Sequence, residues 1–248
     1  MSLNDALAAQ KQSYLSEIEI FQDLSAEEMA ELGRAAPMKQ IEPGAIFRAP
    51  DDPDEVLFIL KKGRVKLYQL SPDGRALTMH LYEAGSIFGE MPLLGQGMHG
   101  SFAQALTPCF LCLMSPQDVK RLLIGDPRIA TRIVESLSER LAVVENRLLD
   151  FAFRRVPERL ARLLLQLAQL HRSLLLRSPR MEVRFTHEEL ADMIGTTRET
   201  TTKLLNEMRL RGLVELQRAR ITLVDLNGLQ RIAAGEPSGI TVELPSPE

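Results

Sequence analysis

Residues 185–212 read F-T-H-E-E-L-A-D-M-I-G-T-T-R-E-T-T-T-K-L-L-N-E-M-R-L-R-G. The stretch predicts two short helices joined at a glycine. Thr186 is a good N-cap, and Glu189 three residues on completes a capping box, in which hydroxyl and carboxylate each satisfy a backbone N–H at the helix start. Leu190, Met193 and Ile194 give the first helix an apolar face. Gly195 supplies the turn, because a left-handed backbone costs glycine little. Thr197 caps the second helix, Leu204, Leu205 and Met208 form its buried stripe, and Gly212 ends it.

The other face of the second helix carries the chemistry. Arg198, Glu199, Thr202 and Lys203 lie in its first turns, away from the apolar stripe. A major groove accepts the N-terminal part of such a helix. Arginine donates two hydrogen bonds to guanine O6 and N7, and glutamate accepts one from cytosine N4. An ordinary helical hairpin with a solvated face has the same polarity, so the pair of helices alone does not decide between the two.

The run G-T-T-R-E-T-T-T-K-L-L at 195–205 resembles the recognition helix of the cyclic-AMP receptor protein and fumarate/nitrate regulator superfamily. The resemblance extends over roughly residues 24–225. It implies an α+β chain with an N-terminal β-roll like those that bind cyclic nucleotides, a long dimerisation helix and a C-terminal winged helix-turn-helix. It also implies a homodimer on double-stranded DNA, with RNA polymerase as a further partner. The DNA-contacting set it suggests is Thr186, His187, Thr197, Arg198, Glu199, Thr202, Lys203 and Arg218. The half-site it suggests is TGTGA-like, with Lys203 standing where the family usually has arginine.

Charge agrees with that reading. The chain of 248 residues has a net charge of −3, yet residues 154–235 carry 15 Lys+Arg against 9 Asp+Glu. A basic segment inside an acidic protein is the electrostatic footprint of a polyanion partner. No secretory h-region opens the sequence, and no apolar run reaches the ~18 residues that span a membrane. Two cysteines make no disulfide framework, which fits a reducing cytoplasm.

At ~150 residues per domain, the length predicts two domains. Residues 1–20 read as a polar helical arm, and Ser25-Ala26-Glu27-Glu28 as a second capping box. From about 38 to 114 the pattern becomes short strands (56–60, 65–70, 77–82, 110–114) between Pro/Gly/Asp breaks, which predicts a barrel or sandwich. Ser115-Pro116 opens a helix, and a longer one is expected over 127–152. In it Ala130, Val134, Leu137, Leu141, Val144, Leu148 and Phe151 alternate steps of four and three, an a/d seam over three heptads. The expected dimer seam is therefore Val134, Leu137, Leu141, Val144, Leu148 and Phe151, with Ile129, Ile133 and Leu149 as a second stripe facing the strands. A hinge is expected near 153–156 and a closing β-hairpin over 213–224 with its tip at 217–220. These readings place an effector domain at 21–125, a dimerisation helix at 126–153, a DNA-binding domain at 154–231 and a flexible tail at 232–248.

In the superfamily the effector phosphate sits at a helical N-terminus after a G-E motif, helped by an Arg-Ser pair. The corresponding positions here are Gly89, Glu90, Met91, His99, Gly100 and Ser101, with Val144 from the long helix where a hydroxyl would meet adenine. Glycine replaces the arginine at position 100, and no Arg or Lys occurs between Arg75 and Lys120. Losing a charge-assisted pair costs ~1.5–3 kcal/mol, which disfavours control by cyclic AMP. The effector is unknown from sequence, and a sensor-repressor with a non-nucleotide effector is the second reading.

Other chemistries find less support. No cysteine precedes Cys109, so the N-terminal iron–sulfur cluster of some superfamily members is absent. Cys109 and Cys112 have C-x-x-C spacing on a predicted strand, which puts them on opposite faces and favours packing over metal or redox work. A haem site would want histidine near 89–91, where Met91 stands. No metal-ligand set or catalytic constellation points to an enzyme.

Overall fold

The computed structural model describes Glu27 and residues 37–90, 97–98, 100–125, 127–174, 181–218, 220–236 and 240. The N-terminal arm, the capping box at Ser25, Met91, His99 and most of the C-terminal tail lie outside them. The chain divides into two compact units: the described residues up to Ser71 together with Thr78–Leu141, and Pro72–Leu77 together with those from Ala142 on.

The first unit is built from eight short strands: β1 (Met38–Ile41), β2 (Ile46–Arg48), β3 (Leu57–Lys62), β4 (Arg64–Leu70), β5 (Ala76–Glu83), β6 (Ile87–Gly89), β7 (Phe102–Ala105) and β8 (Cys109–Met114). They form two four-stranded sheets, ordered β1-β8-β3-β6 and β2-β7-β4-β5. Both sheets feed one core, with Phe58 and Leu60 from β3, Val65 and Leu67 from β4, Tyr82, Phe88, and Cys109 and Leu111 from β8. Phe58 and Phe88 stack at 5.4 Å between centroids, and Tyr82 and Phe88 at 4.4 Å. Such aromatic pairs add stabilisation beyond the area they bury. Four of these strands coincide with the expected segments to within two residues at each end. The others are three or four residues long, too short to show a period.

Cys109 and Cys112 are fully buried and form no disulfide. The Cys109 thiol donates to the carbonyls of Thr107 (3.1 Å) and Arg64 (3.3 Å). Burial pushes its pKa up despite those contacts, which leaves it an inert thiol.

Two helices follow, α1 (Pro116–Gly125) and α2 (Pro127–Phe153). Ser115 caps α1, accepting from the Asp118 N–H at 3.3 Å. Ile129 and Ile133 are buried, whereas Leu149 is 53% exposed, so the expected second stripe holds only in the first turns of α2. The seam positions Val134, Leu141, Val144 and Leu148 are exposed, at 61, 59, 39 and 68%. Of the other two seam positions, Leu137 is half-buried and Phe151 is 38% exposed. Leu137 lines a cavity in the first unit. The Phe151 ring packs within the second unit, under the Arg159 guanidinium at 5.0 Å.

The second unit holds α3 (Val156–Leu174), β9 (Glu182–Val183), α4 (His187–Ile194), α5 (Arg198–Leu210), β10 (Val214–Gln217), β11 (Arg220–Leu223) and α6 (Leu226–Ala233). Leu160, Leu164 and Leu167 of α3 are buried together with the apolar faces of α4 and α5. The expected hairpin forms, and β9 adds a third strand against β11. At the C-terminal end Ile240 is 4% exposed, so the segment expected to be loose is tied down at that side chain.

Candidate DNA interface and effector cavity

The two-helix stretch folds as its capping residues dictate. Thr186 Oγ1 accepts from the Glu189 N–H at 3.2 Å, and Glu189 Oε2 accepts from the Thr186 N–H at 2.6 Å. Gly195 closes α4 with φ +64°. A Cβ there would stand 2.7 Å from the Phe151 ring, so space as well as backbone angle demands glycine. Arg159 Nε donates to the Ile194 carbonyl at 3.1 Å and fixes the end of α4 against α3. Thr197 then caps α5, accepting from the Thr200 N–H at 3.1 Å. Its hydroxyl also donates to Thr200 Oγ1 at 3.0 Å.

On α5, Leu204, Leu205 and Met208 are fully buried. Arg198, Glu199 and Lys203 are exposed on the opposite face and form no ion pair or side-chain hydrogen bond among the described residues. Thr202, half-buried between them, donates to the Arg198 carbonyl at 2.8 Å. His187 Nδ1 lies 2.9 Å from Thr202 Oγ1 and ties the start of α4 to α5. Burial, then the Arg198 charge, holds the His187 pKa below its ordinary value. Asn206, one turn beyond Thr202, continues the face and donates to the Thr202 carbonyl at 3.0 Å. It was not singled out from sequence, although the i, i+4 spacing from Thr202 pointed to it. Arg218 is exposed at the tip between β10 and β11, whereas Arg220 lies 3.7 Å from Glu182. The result is a rigid helix start with uncommitted donors and one acceptor, flanked by a cationic wing tip.

The expected effector residues divide between two cavities of the first unit. Glu90, Gly100 and Ser101 line one of about 310 Å³ with Arg48 and Asp52. There Glu90 Oε2 accepts from the Met98 N–H at 2.8 Å, and Arg48 donates to the Asp52 carbonyl at 2.8 Å, so fixed charges of both signs are present. Gly89 and Ser101 line the other, of about 180 Å³, with Gln69, His80, Tyr82 and Arg140. Gly89 has φ +142°, and a Cβ on it would lie 2.1 Å from the Val56 carbonyl oxygen. Val144 lines neither cavity and is exposed.

Arg140 is the residue sequence reading missed. It rises from α2, one turn after Leu137, donates to the Ile87 carbonyl and lies over the Tyr82 ring at 5.2 Å. Only the proximity of α2 to the strands reveals it, since 53 residues separate it from Ile87. Among the described residues no group of three or more His, Cys, Asp and Glu is placed to hold a metal ion, and no helix is long and apolar enough to cross a membrane.

Residues 38–126 match the cyclic nucleotide-binding domain family, and residues 158–232 match the Crp-like helix-turn-helix domain family. The chain is 30% identical over 204 residues to the CRP-like cAMP-activated global transcriptional regulator of Mycobacterium tuberculosis, covering 80% of this chain and 91% of the relative. It is 31% identical over 191 residues to the global nitrogen regulator of Synechococcus elongatus, covering 75 and 85%. Among solved structures it is similar to that of a CooA mutant from Carboxydothermus hydrogenoformans, with a TM-score of 0.72 and 25% identity over 88% of this chain and 97% of the other. With the winged helix-turn-helix geometry and both matched domains in hand, the chain belongs to the CRP/FNR superfamily of DNA-binding transcription regulators.

Proposed function

We propose that the chain acts as a homodimer on a palindromic DNA site with TGTGA-like half-sites, and that cyclic AMP does not control it in the usual way. The observation that carries the DNA reading is the start of α5, where Arg198, Glu199 and Lys203 stand exposed and, among the described residues, unpaired on a helix capped by Thr197. Arg198 reads a guanine through its two-pronged fork, Glu199 accepts from a cytosine, and Lys203 reads a second guanine less strictly because it has no planar fork. Thr186, His187, Thr197 and Thr202 surround these groups at the helix starts, and Arg218 of the wing reaches for a phosphate. The exposed leucines and valines of α2 support pairing along residues 134–148, which sets two recognition helices ~34 Å apart on successive major grooves. In this reading residues 21–125 form the effector domain, 126–153 the dimerisation helix and 154–231 the DNA-binding domain. RNA polymerase is the partner through which binding changes transcription.

The departure from cyclic-AMP control rests on Gly100, which offers no cation at the position of the usual arginine. Selection of DNA sites from a random pool, run with and without cyclic AMP, tests both halves. The expected result is one palindrome, recovered equally well in both conditions. Recovery of no common sequence counts against the DNA reading, and recovery only with cyclic AMP counts against the effector reading. A sensor with a non-nucleotide effector is favoured by one feature, the cation that α2 delivers into the smaller cavity.

A further inference from the structure

His187 is the first residue of α4, and the first helix of a helix-turn-helix crosses the DNA backbone. Its ring is anchored through one nitrogen. Nδ1 lies 2.9 Å from Thr202 Oγ1 on α5, and that hydroxyl gives its own proton to the Arg198 carbonyl. Thr202 can then only accept from the ring, so the neutral histidine carries its proton on Nδ1 and an open lone pair on Nε2. Among the described residues Nε2 has no hydrogen-bond partner, and the side chain is half-buried rather than enclosed.

A neutral Nε2 is the wrong group for a phosphate, because lone pair and oxyanion repel. An imidazolium donates from both nitrogens. The bond from Nδ1 to Thr202 survives protonation, so the ring gains its second donor without turning. Charges around the ring set when this happens. On α4 stand Glu188, Glu189 and Asp192, of which Glu189 is spent on the cap at Thr186. Just before α4, Arg184 lies 3.8 Å from Glu182. On α5, Arg198, Glu199 and Lys203 are exposed. At the far end of α4, Arg159 of α3 is engaged with the Ile194 carbonyl. Burial first, and the Arg198 charge second, hold the ring below the ordinary 6.5 in the free protein. A line of DNA phosphates beside α4 acts in the opposite direction.

We propose that His187 is a proton-linked phosphate contact: when α4 and α5 dock on DNA, Nε2 takes up a proton from solvent and donates it to a backbone phosphate oxygen, while Nδ1 keeps the ring tied to Thr202. The proposal rests on the DNA reading above and adds a regulator to it, the proton. A group whose pKa rises on binding draws protons into the complex. Affinity therefore climbs as pH falls from the pKa of the complex to that of the free protein, and levels off below it. The climb is at most about tenfold per pH unit for each half-site. A phosphate carries no sequence, so specific and random duplexes gain alike.

Calorimetry of the full chain counts the protons. The probes are a duplex with two TGTGA half-sites and a random duplex, each titrated in two buffers of different ionisation enthalpy near pH 7. Uptake of about half to one proton per protomer is expected with both duplexes. His187→Gln, which keeps a neutral donor, loses the uptake, and its affinity no longer rises between about pH 8 and 6. His187→Arg, a cation at every pH, binds without that slope and at neutral pH more tightly than the native protein. The proton count on the native chain needs no substitution and stands even where a variant fails to fold. Uptake below about a fifth of a proton throughout pH 6–8, or equal uptake by the native protein and a folded His187→Gln, overturns the proposal. In those outcomes DNA still binds, whereas binding of neither duplex at any pH defeats the DNA reading and this inference with it, so the two failures are distinguishable.

Discussion

His187 Nδ1 and Thr202 Oγ1 lie 2.9 Å apart, joining the first residue of α4 to the recognition helix. The Thr202 hydroxyl spends its one proton on the Arg198 carbonyl at 2.8 Å. It therefore accepts from His187, which fixes the proton of the neutral ring on Nδ1. Burial, then the nearby Arg198 charge, holds the folded-state pKa below the ordinary 6.5.

A stability slope follows from that depression. The unfolded chain takes up the His187 proton at a higher pH than the folded chain does. As pH falls below the unfolded value the unfolded state binds more protons, and stability falls until the lowered folded pKa is passed. Urea unfolding between about pH 7.5 and 5.5 should show the native protein losing stability relative to His187→Gln. Identical slopes for the two proteins would mean that the histidine titrates alike in both states.

The parts of this fold that sequence exposes are those fixed by local chemistry. Thr186, Glu189, Gly195 and Thr197 announce the helix pair because caps and turns act over four residues. The three-residue strand Ile87–Gly89 announces nothing, since it is defined by its pairing with Leu57–Ile59. Arg140 looks like one more surface charge on a heptad helix. Its meaning comes from Ile87 and Tyr82, which only the folded chain brings near. The heptad period likewise shows that a face of α2 is apolar, not what covers it: Leu137 of that face lines a cavity, while Leu148 is exposed.

Gly89 should be irreplaceable, and by more than backbone angle. Both Gly89 (φ +142°) and Gly74 (φ +81°) lie where L-residues are strained, but a Cβ on Gly74 meets nothing within 4 Å. Gly74→Ala should cost ~1–2 kcal/mol. Gly89→Ala adds a collision with the Val56 carbonyl and should cost clearly more, with a lower urea midpoint and an unchanged m-value. Equal losses in the two variants would show that the strand edge at Val56 gives way.

The seam makes a prediction that separates two neighbouring leucines. Leu148 is 68% exposed, whereas Leu137 lines the cavity beside Arg140. In a homodimer paired along α2, Leu148→Asp puts a charge into the apolar seam and should shift sedimentation toward the monomer. Leu137→Ala should leave the dimer intact and change the cavity instead. A monomeric native protein at micromolar concentration, or dissociation by Leu137→Ala alone, counts against the seam as drawn.

Base readout and phosphate contact can be told apart on the recognition unit. Arg198 is exposed at the start of α5 and, among the described residues, without an ion pair, while Arg218 is exposed at the wing tip. If Arg198 reads a guanine, Arg198→Ala should cost ~1–3 kcal/mol per half-site and relax preference at one base pair, leaving the others unchanged. If Arg218 meets a phosphate, Arg218→Ala should weaken specific and random DNA alike and lower the slope of log K against log salt by about one. Fluorescence anisotropy on the selected palindrome, on single-base variants and on random duplex, at several salt concentrations, measures both effects. The two side chains are equally charged, so a purely electrostatic interface would give them the same signature. A base-specific loss confined to Arg198 is the outcome that requires its fork to enter the groove.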